Sequence, residues 1–265
     1  MGDEMTATCP QSCVIVGIDG SETAIEAALW AVEEAASRSV PLCLICVTKA
    51  THPSADEYYA DVRHAEDSLR AARAAVEASG TSVKVETAIV TGPPGAALIA
   101  ESDTAALICV GSVGIGRYAR SILGSTATEL AEKAHCPVAV IRPVHGQPRH
   151  AVSWIVVADN QSQDTEAVIE AALREAGLRG APVLVVGRHG DVDSDVEAWR
   201  ERHPEVRIYP IGDGADVARF IKKNDERVQL AVISGAEADK LADLLGPSGH
   251  HRFSHTESSV LVVRG

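Results

Sequence analysis

Aromatic side chains are scarce in this chain: Phe, Trp and Tyr together make up 3% of its 265 residues. Ala, Val, Leu and Ile must therefore fill the interior, a composition that suits β-branched strands covered by alanine-rich helices. Long apolar runs are missing as well. No stretch approaches the roughly 18 residues of a membrane-spanning helix, and the N-terminus MGDEMTATCPQS has neither a basic region ahead of an apolar run nor a cleavage-like site. The expectation is a soluble, cytoplasmic protein with no membrane partner. A basic excess is lacking too, with 10 basic against 18 acidic residues through Pro148, 14 against 19 after it, and a formal net charge of −13. Nucleic acid and anionic surfaces are thereby disfavoured as partners, because both require clustered positive charge.

Recognisable catalytic signatures are also missing. There is no G-x-S-x-G elbow, no H-E-x-x-H and no kinase set, so an evolved turnover enzyme is not the expectation. The second half has no cysteine; all six (Cys9, Cys13, Cys43, Cys46, Cys109, Cys136) lie in the first. They read as small hydrophobes in a reducing compartment. Cys43-x2-Cys46 has the spacing of a zinc or redox pair. Within one strand, however, these two side chains project from opposite faces, so a structural role is preferred.

What the chain does have is glycine at telling places. From Ala106 to Pro143 an apolar run meets Gly111, a glycine-studded loop follows, Gly124-Ser125 opens an Ala/Glu/Leu helix, and Val138–Ile141 closes the segment as a second apolar run. The spacing is Gly111-x2-Gly114-x9-Gly124-Ser125. Glycine permits positive φ and close approach of a ligand, and a helix beginning at Ser125 directs its free N–H groups and positive dipole end at an anion. That combination suits a phosphate chain. The order is not the dinucleotide G-x-G-x-x-G, and no Gly-Lys-Ser/Thr follows as in a P-loop. Arg117 and Arg120 lie inside the loop, where they either reach phosphate oxygens or are simply solvated.

The rest of the first half alternates strands and helices. Cys13–Ile18 is a buried strand; Ser21 or Thr23 caps a helix whose apolar face uses Ile25, Leu29 and Val32; a strand ends near Val47. A loop over Thr48–Asp56 leads to a helix from Glu57 to Ser79, a strand follows at Val83–Val90, and Gly92-Pro93-Pro94-Gly95 turns into a short helix. This is a doubly wound parallel α/β sheet, with ligands expected outside the C-terminal strand ends. Asp19, Val47 and Gly111 all fall at such ends.

The glycine loop between its two strands, together with VGIDGSETA and LCLICV, resembles the ATP-binding branch of the universal stress protein family. The resemblance implies that Asp19 contacts the adenosine part of ATP and that the backbone at Val47 meets the adenine. It further implies that Gly111, Gly114, Gly124, Ser125 and the Thr126 amide hold ribose and phosphates, with Mg2+ accompanying the nucleotide. The implied function is an ATP-binding regulator of stress responses acting on an unidentified protein partner, with slow ATP hydrolysis at most. The alternatives are a nucleotide-independent scaffold and an ATP-dependent transferase.

The second half repeats the first: SWIVVADN answers CVIVGIDG, VQLAVISG answers AALICVGS, and SSVLVVRG answers CPVAVIRP. The expectation is two tandem five-stranded domains, 1–147 and 148–265, divided in the stretch Pro143–His150. They would form a pseudo-dimer within one chain, able to pair further as a homodimer. The second copy departs at its loop. Gly246 stands opposite Gly124 and Ser234 or Gly235 opposite Gly111, with Glu237 or Ala238 for Gly114 and Pro247 for Ser125. Proline offers no N–H or hydroxyl, and Glu237, Asp239 and Asp243 add negative charge, so this half is expected to bind ATP weakly or not at all even though Asp159 ends its first strand. His250, His251 and His255 are read as an exposed helix face, not as metal ligands.

Overall fold

The computed structural model describes residues 9–114, 123–142, 153–188, 192–212, 214–223, 228–245 and 258–264. The chain forms two compact units, Met1–Pro143 and Val144–Gly265. The linker expected at Pro143–His150 lies outside the described residues.

In the first unit strands and helices alternate as β1 (Val14–Ile18), α1 (Glu22–Arg38), β2 (Leu42–Thr48), α2 (Ala55–Ala78), β3 (Val85–Thr91), α3 (Pro94–Glu101), β4 (Leu107–Gly111), α4 (Ser125–Lys133) and β5 (Val138–Ile141). The strands are parallel in the order β3-β2-β1-β4-β5. From β1 the chain winds outward through β2 and β3, then returns to the other side of β1 as β4. The strand order therefore reverses between β1 and β4, the place where a crevice opens in sheets of this kind. The continuous apolar runs are buried on both faces: Leu42, Leu44, Leu107 and Ile108 are fully enclosed. Each such side chain contributes about 1.5–3 kcal/mol relative to exposure.

Helix α1 packs through alanine. Ala24, Ala27, Ala28, Ala31 and Ala35 are all at most 2% exposed, whereas Ile25 and Leu29, expected on the apolar face, are only half-buried. The alanine stripe, shared with buried Val32, lets the helix lie close over β1 and β4 without interdigitating large side chains. Ser21 is its N-cap, accepting from the Ala24 N–H at 3.2 Å. Helix α2 starts at Ala55, two residues before the expected Glu57, because the Ser54 hydroxyl accepts from the Glu57 N–H at 3.2 Å.

The expectation of six reduced cysteines is corrected. Cys9 and Cys43 form a disulfide, with Cα atoms 6.1 Å apart, within the span a disulfide bridges. The segment ahead of β1 passes beside β2, an adjacency that no local pattern in the sequence encodes. Cys13, Cys46, Cys109 and Cys136 are buried free thiols.

The second unit repeats the plan with β6 (Trp154–Ala158), α5 (Thr165–Arg179), β7 (Val183–Val186), α6 (Val192–Arg202), β8 (Ile208–Ile211), α7 (Val217–Lys223), β9 (Val228–Ser234), a 3-10 helix (Gly235–Lys240), α8 (Leu241–Leu245) and β10 (Ser259–Val263). Its parallel strands run β10-β9-β6-β7-β8. The duplication reaches single contacts. In the first helix of each unit a fully buried glutamate meets an arginine one turn on, Glu34 with Arg38 at 2.8 Å and Glu175 with Arg179 at 3.0 Å.

Candidate functional site

At the end of β1 the chain turns through Asp19-Gly20-Ser21. Gly20 has φ +86°, and a Cβ there would stand 2.7 Å from the Ser68 hydroxyl of α2, so the turn requires glycine on both counts. Asp19 Oδ1 accepts from the Ser21 N–H at 3.0 Å and from the Ser21 hydroxyl at 2.6 Å. Two residues on, the Thr23 hydroxyl donates to the Val113 carbonyl in the loop after β4. The turn after β1 is thus hydrogen-bonded to the glycine loop.

The structure gives a more specific reason for the glycines than room for a ligand. A Cβ at Gly111 would lie 2.5 Å from Thr23 Oγ1 and 2.8 Å from the Thr23 carbonyl carbon, and one at Gly114 would lie 2.5 Å from Asp19 Oδ2. Both positions are glycine because the β1–α1 turn presses against them. Gly124 answers a different need, as the N-cap of α4 with φ −77° and no side chain closing the helix end. Its N–H donates to the Ser112 carbonyl at 2.8 Å, and the Ser112 N–H donates to the Ile141 carbonyl at 2.8 Å, which anchors both ends of the loop. The first-turn N–H groups at Ser125 and Thr126 have no carbonyl one turn back to bind, and glycine supplies no capping oxygen. An anion completes such an end.

A cavity of about 280 Å³ opens between these elements, and all seven residues picked from the sequence (Asp19, Val47, Gly111, Gly114, Gly124, Ser125, Thr126) line it. Its volume is near the lower end of small-molecule sites. The sequence did not mark part of the lining: Ile45, Pro94, Leu98 and Val110 add apolar side chains to the cavity beside the polar donors. Pro94 belongs to the Gly92-Pro93-Pro94-Gly95 stretch, whose punctuation signals a turn but not what the turn faces. Arg117 and Arg120 lie outside the described residues.

Beyond Val47 the next loop is clasped by α2. Asp61 Oδ2 accepts from the Lys49 N–H at 3.0 Å and lies 2.8 Å from His52 Nε2. The Lys49 N–H first, and then His52, hold this carboxyl below the ordinary aspartate value of 3.8. A depressed folded-state pKa means the clasp stabilises the protein above the unfolded value and is lost as pH falls through the folded one. An NMR titration of the Lys49 amide should therefore show a midpoint below 3.8; a midpoint at or above that value would remove the clasp.

The second unit fills the corresponding place with its own side chains. Ser234 pairs with Val263 in β10 as Gly111 pairs with Ile141 in β5, so the pairing register puts Ser234, not Gly235, at the Gly111 position. The chain then winds directly into the 3-10 helix. Glu237 folds back on the start of that helix, its Oε2 accepting from the N–H and hydroxyl of Ser234 at 3.4 Å each. Lys240 bonds Glu237 and Asp216 at 3.1 Å each; burial alone would lower its pKa, but these two carboxylates raise it. The Ser234 N–H and hydroxyl, at the Gly111 position, are thus turned toward the protein's own carboxylate. Asp159 still ends β6, 6% exposed, with Oδ1 3.4 Å from the Gln161 N–H. Gly246, Pro247, His250, His251 and His255 lie outside the described residues. Among the described residues no group of three His, Cys, Asp or Glu side chains is placed to hold a metal ion, and no helix is long and apolar enough to cross a membrane.

A doubly wound α/β unit with a small-molecule cavity at its switch point is the class of protein that this fold and site define. Residues 13–142 match the model of the Universal stress protein family. The whole chain is 58% identical over 260 residues to Universal stress protein Rv2624c of Mycobacterium tuberculosis, covering 95% of this chain and 96% of that one. It is 36% identical over 265 residues to Universal stress protein Rv2028c of the same organism, covering 94% and 95%. Among solved structures, a universal stress protein from Archaeoglobus fulgidus matches with a TM-score of 0.66 at 16% identity, over 95% of this chain and 96% of that chain, a likeness of fold. The chain belongs to the universal stress protein family.

Proposed function

We propose that this chain is a nucleotide-binding regulatory protein whose first unit takes up one ATP. The observation that carries this reading is the side-chain-free N-terminus of α4 at a cavity that is also lined by apolar side chains. An adenine ring suits the wall of Ile45, Leu98 and Val110, with the Val47 backbone at its edge. Asp19 stands toward the adenosine, and phosphates are received by Gly111, Gly114, Gly124, Ser125 and the Thr126 N–H. Mg2+ arrives with the nucleotide, held by phosphate oxygens and water. The second unit is a second domain of the same kind that has lost its ligand, with Glu237 bonded to Ser234 at the Gly111 position and Pro247 in line with Ser125.

Occupancy then acts as the signal: a nucleotide bridging β1, β2 and α4 alters the surface beside the site, and a partner protein reads that surface. Among the described residues that line the cavity the one carboxylate is Asp19, read as the adenosine contact, and in this reading binding is the function and hydrolysis incidental. Calorimetry with ATP and Mg2+ on nucleotide-stripped protein tests this. One ATP per chain is expected. No binding, with no co-purified nucleotide, would leave a nucleotide-independent scaffold, and two per chain would overturn the assignment of the second unit.

A further inference from the structure

We propose that Thr23 is a positioning residue: its hydroxyl latches Val113, just beyond β4, to the turn after β1 and sets the stretch from Gly111 to Gly114 in its ligand-receiving form before any ligand arrives. The proposal rests on the nucleotide reading for its consequence, though not for its geometry. Thr23 belongs to α1, is 7% exposed, and does not line the cavity. Its hydroxyl donates to the Val113 carbonyl, in the stretch between Gly111 and Gly114. Gly111 is stripped of a side chain where Thr23 packs, since a Cβ there would lie within 2.8 Å of Thr23 Cβ. Close packing and a directional bond thus converge on one short stretch of loop.

The proton count makes this contact releasable. Ser21 has one hydroxyl proton, given to Asp19 Oδ1 at 2.6 Å, while its oxygen accepts from the Ala24 N–H at 3.2 Å. Thr23 has one, given to Val113. The two hydroxyl oxygens nevertheless stand 3.0 Å apart. With both protons directed elsewhere, Ser21 Oγ is a second acceptor within reach of the Thr23 proton. Parted from Val113, the Thr23 proton can turn to Ser21 and leave no buried donor unsatisfied, while the Val113 carbonyl still loses its donor, and that loss is what the bond holds off. Loop position and the Asp19 turn are thereby linked through two hydroxyls. The second unit has Gln163 in line with Thr23 and Ser234 at the Gly111 position, and its loop is wound into the 3-10 helix.

Thr23→Ser keeps the hydroxyl and Thr23→Ala removes it; both lose the methyl group. Backbone amide exchange without nucleotide should be roughly tenfold faster in Thr23→Ala at Ser112 and Gly124, whose N–H groups anchor the loop ends, and near wild type in Thr23→Ser. The Kd for ATP should rise roughly tenfold in Thr23→Ala alone. Wild-type exchange at these amides in Thr23→Ala overturns the latch. So does equal acceleration in the serine variant, which assigns the effect to lost packing, or equal acceleration at Leu44 in β2, which marks general loosening. If wild-type protein takes no ATP, the nucleotide reading falls while the exchange rates still decide the latch.

Discussion

Gly114→Glu should raise the Kd for ATP at least about a hundredfold and leave the fold intact. A Cβ at this position would stand 2.5 Å from Asp19 Oδ2, so even Gly114→Ala displaces the Asp19 carboxylate, and about tenfold weaker binding is expected from that shift alone. Glutamate adds a second carboxylate beside the first and beside the site read as receiving phosphates. Two like charges about 4 Å apart interact by about 4 kcal/mol at the effective dielectric of a protein surface, which is ample for a hundredfold loss. The fold survives because Gly114 lies in the loop beyond β4, outside the sheet, and the atom its Cβ would meet is the end of the Asp19 side chain, which can turn away. Calorimetry and thermal unfolding of the same preparations separate the two effects. Binding by Gly114→Glu within threefold of wild type would mean that this loop does not receive the ligand.

How much of this was legible in the sequence depends on how far each signal reaches along the chain. The strands were, since runs such as VIVGI and LCLICV are short, apolar and punctuated. The residues at their C-terminal ends followed from the alternation of strands and helices, and these residues do converge on one cavity. Packing partners were not legible. Periodicity favoured Ile25 and Leu29 as the face of α1, whereas closeness of helix to sheet selected alanine. Glycine spacing suggested room for a ligand, yet Gly111 and Gly114 are explained by Thr23 and Asp19, about ninety residues earlier. The loop of the second unit read as acidic and short of donors, but its 3-10 winding and Glu237 cap depend on contacts that the residue types alone do not contain. The Cys9–Cys43 disulfide was missed for the same reason: composition speaks to the usual redox state of a compartment, and pairing is set by which strands are neighbours.

Replacing Cys9 by Ser should lower the unfolding free energy of the first unit by about 2–4 kcal/mol. The bridge closes a loop with a sequence separation of 34, for which constraint of the unfolded chain alone predicts about 4 kcal/mol, with native adjustment commonly reducing it. Ahead of β1 the chain is otherwise held by backbone bonds, the Ser12 N–H to Thr104 and the Ala106 N–H to Cys13, each at 2.8 Å; the disulfide carries that attachment back to Cys9. The bond is also shielded from exchange within the unit. Burial, the largest effect on each, pushes the Cys13 and Cys46 thiols up to about 11, so at neutral pH both are protonated and poor attackers of a disulfide. Thiol titration of unfolded, unreduced protein should therefore find Cys13, Cys46, Cys109 and Cys136 and no others, with Cys9 and Cys43 joining them only after reductant. The denaturant midpoint of the first unit should fall on reduction and should not fall further in reduced Cys9→Ser. Six reactive thiols without reductant would remove the bridge, and an unchanged midpoint in Cys9→Ser would show that the backbone bonds at Ser12 and Cys13 already hold the segment.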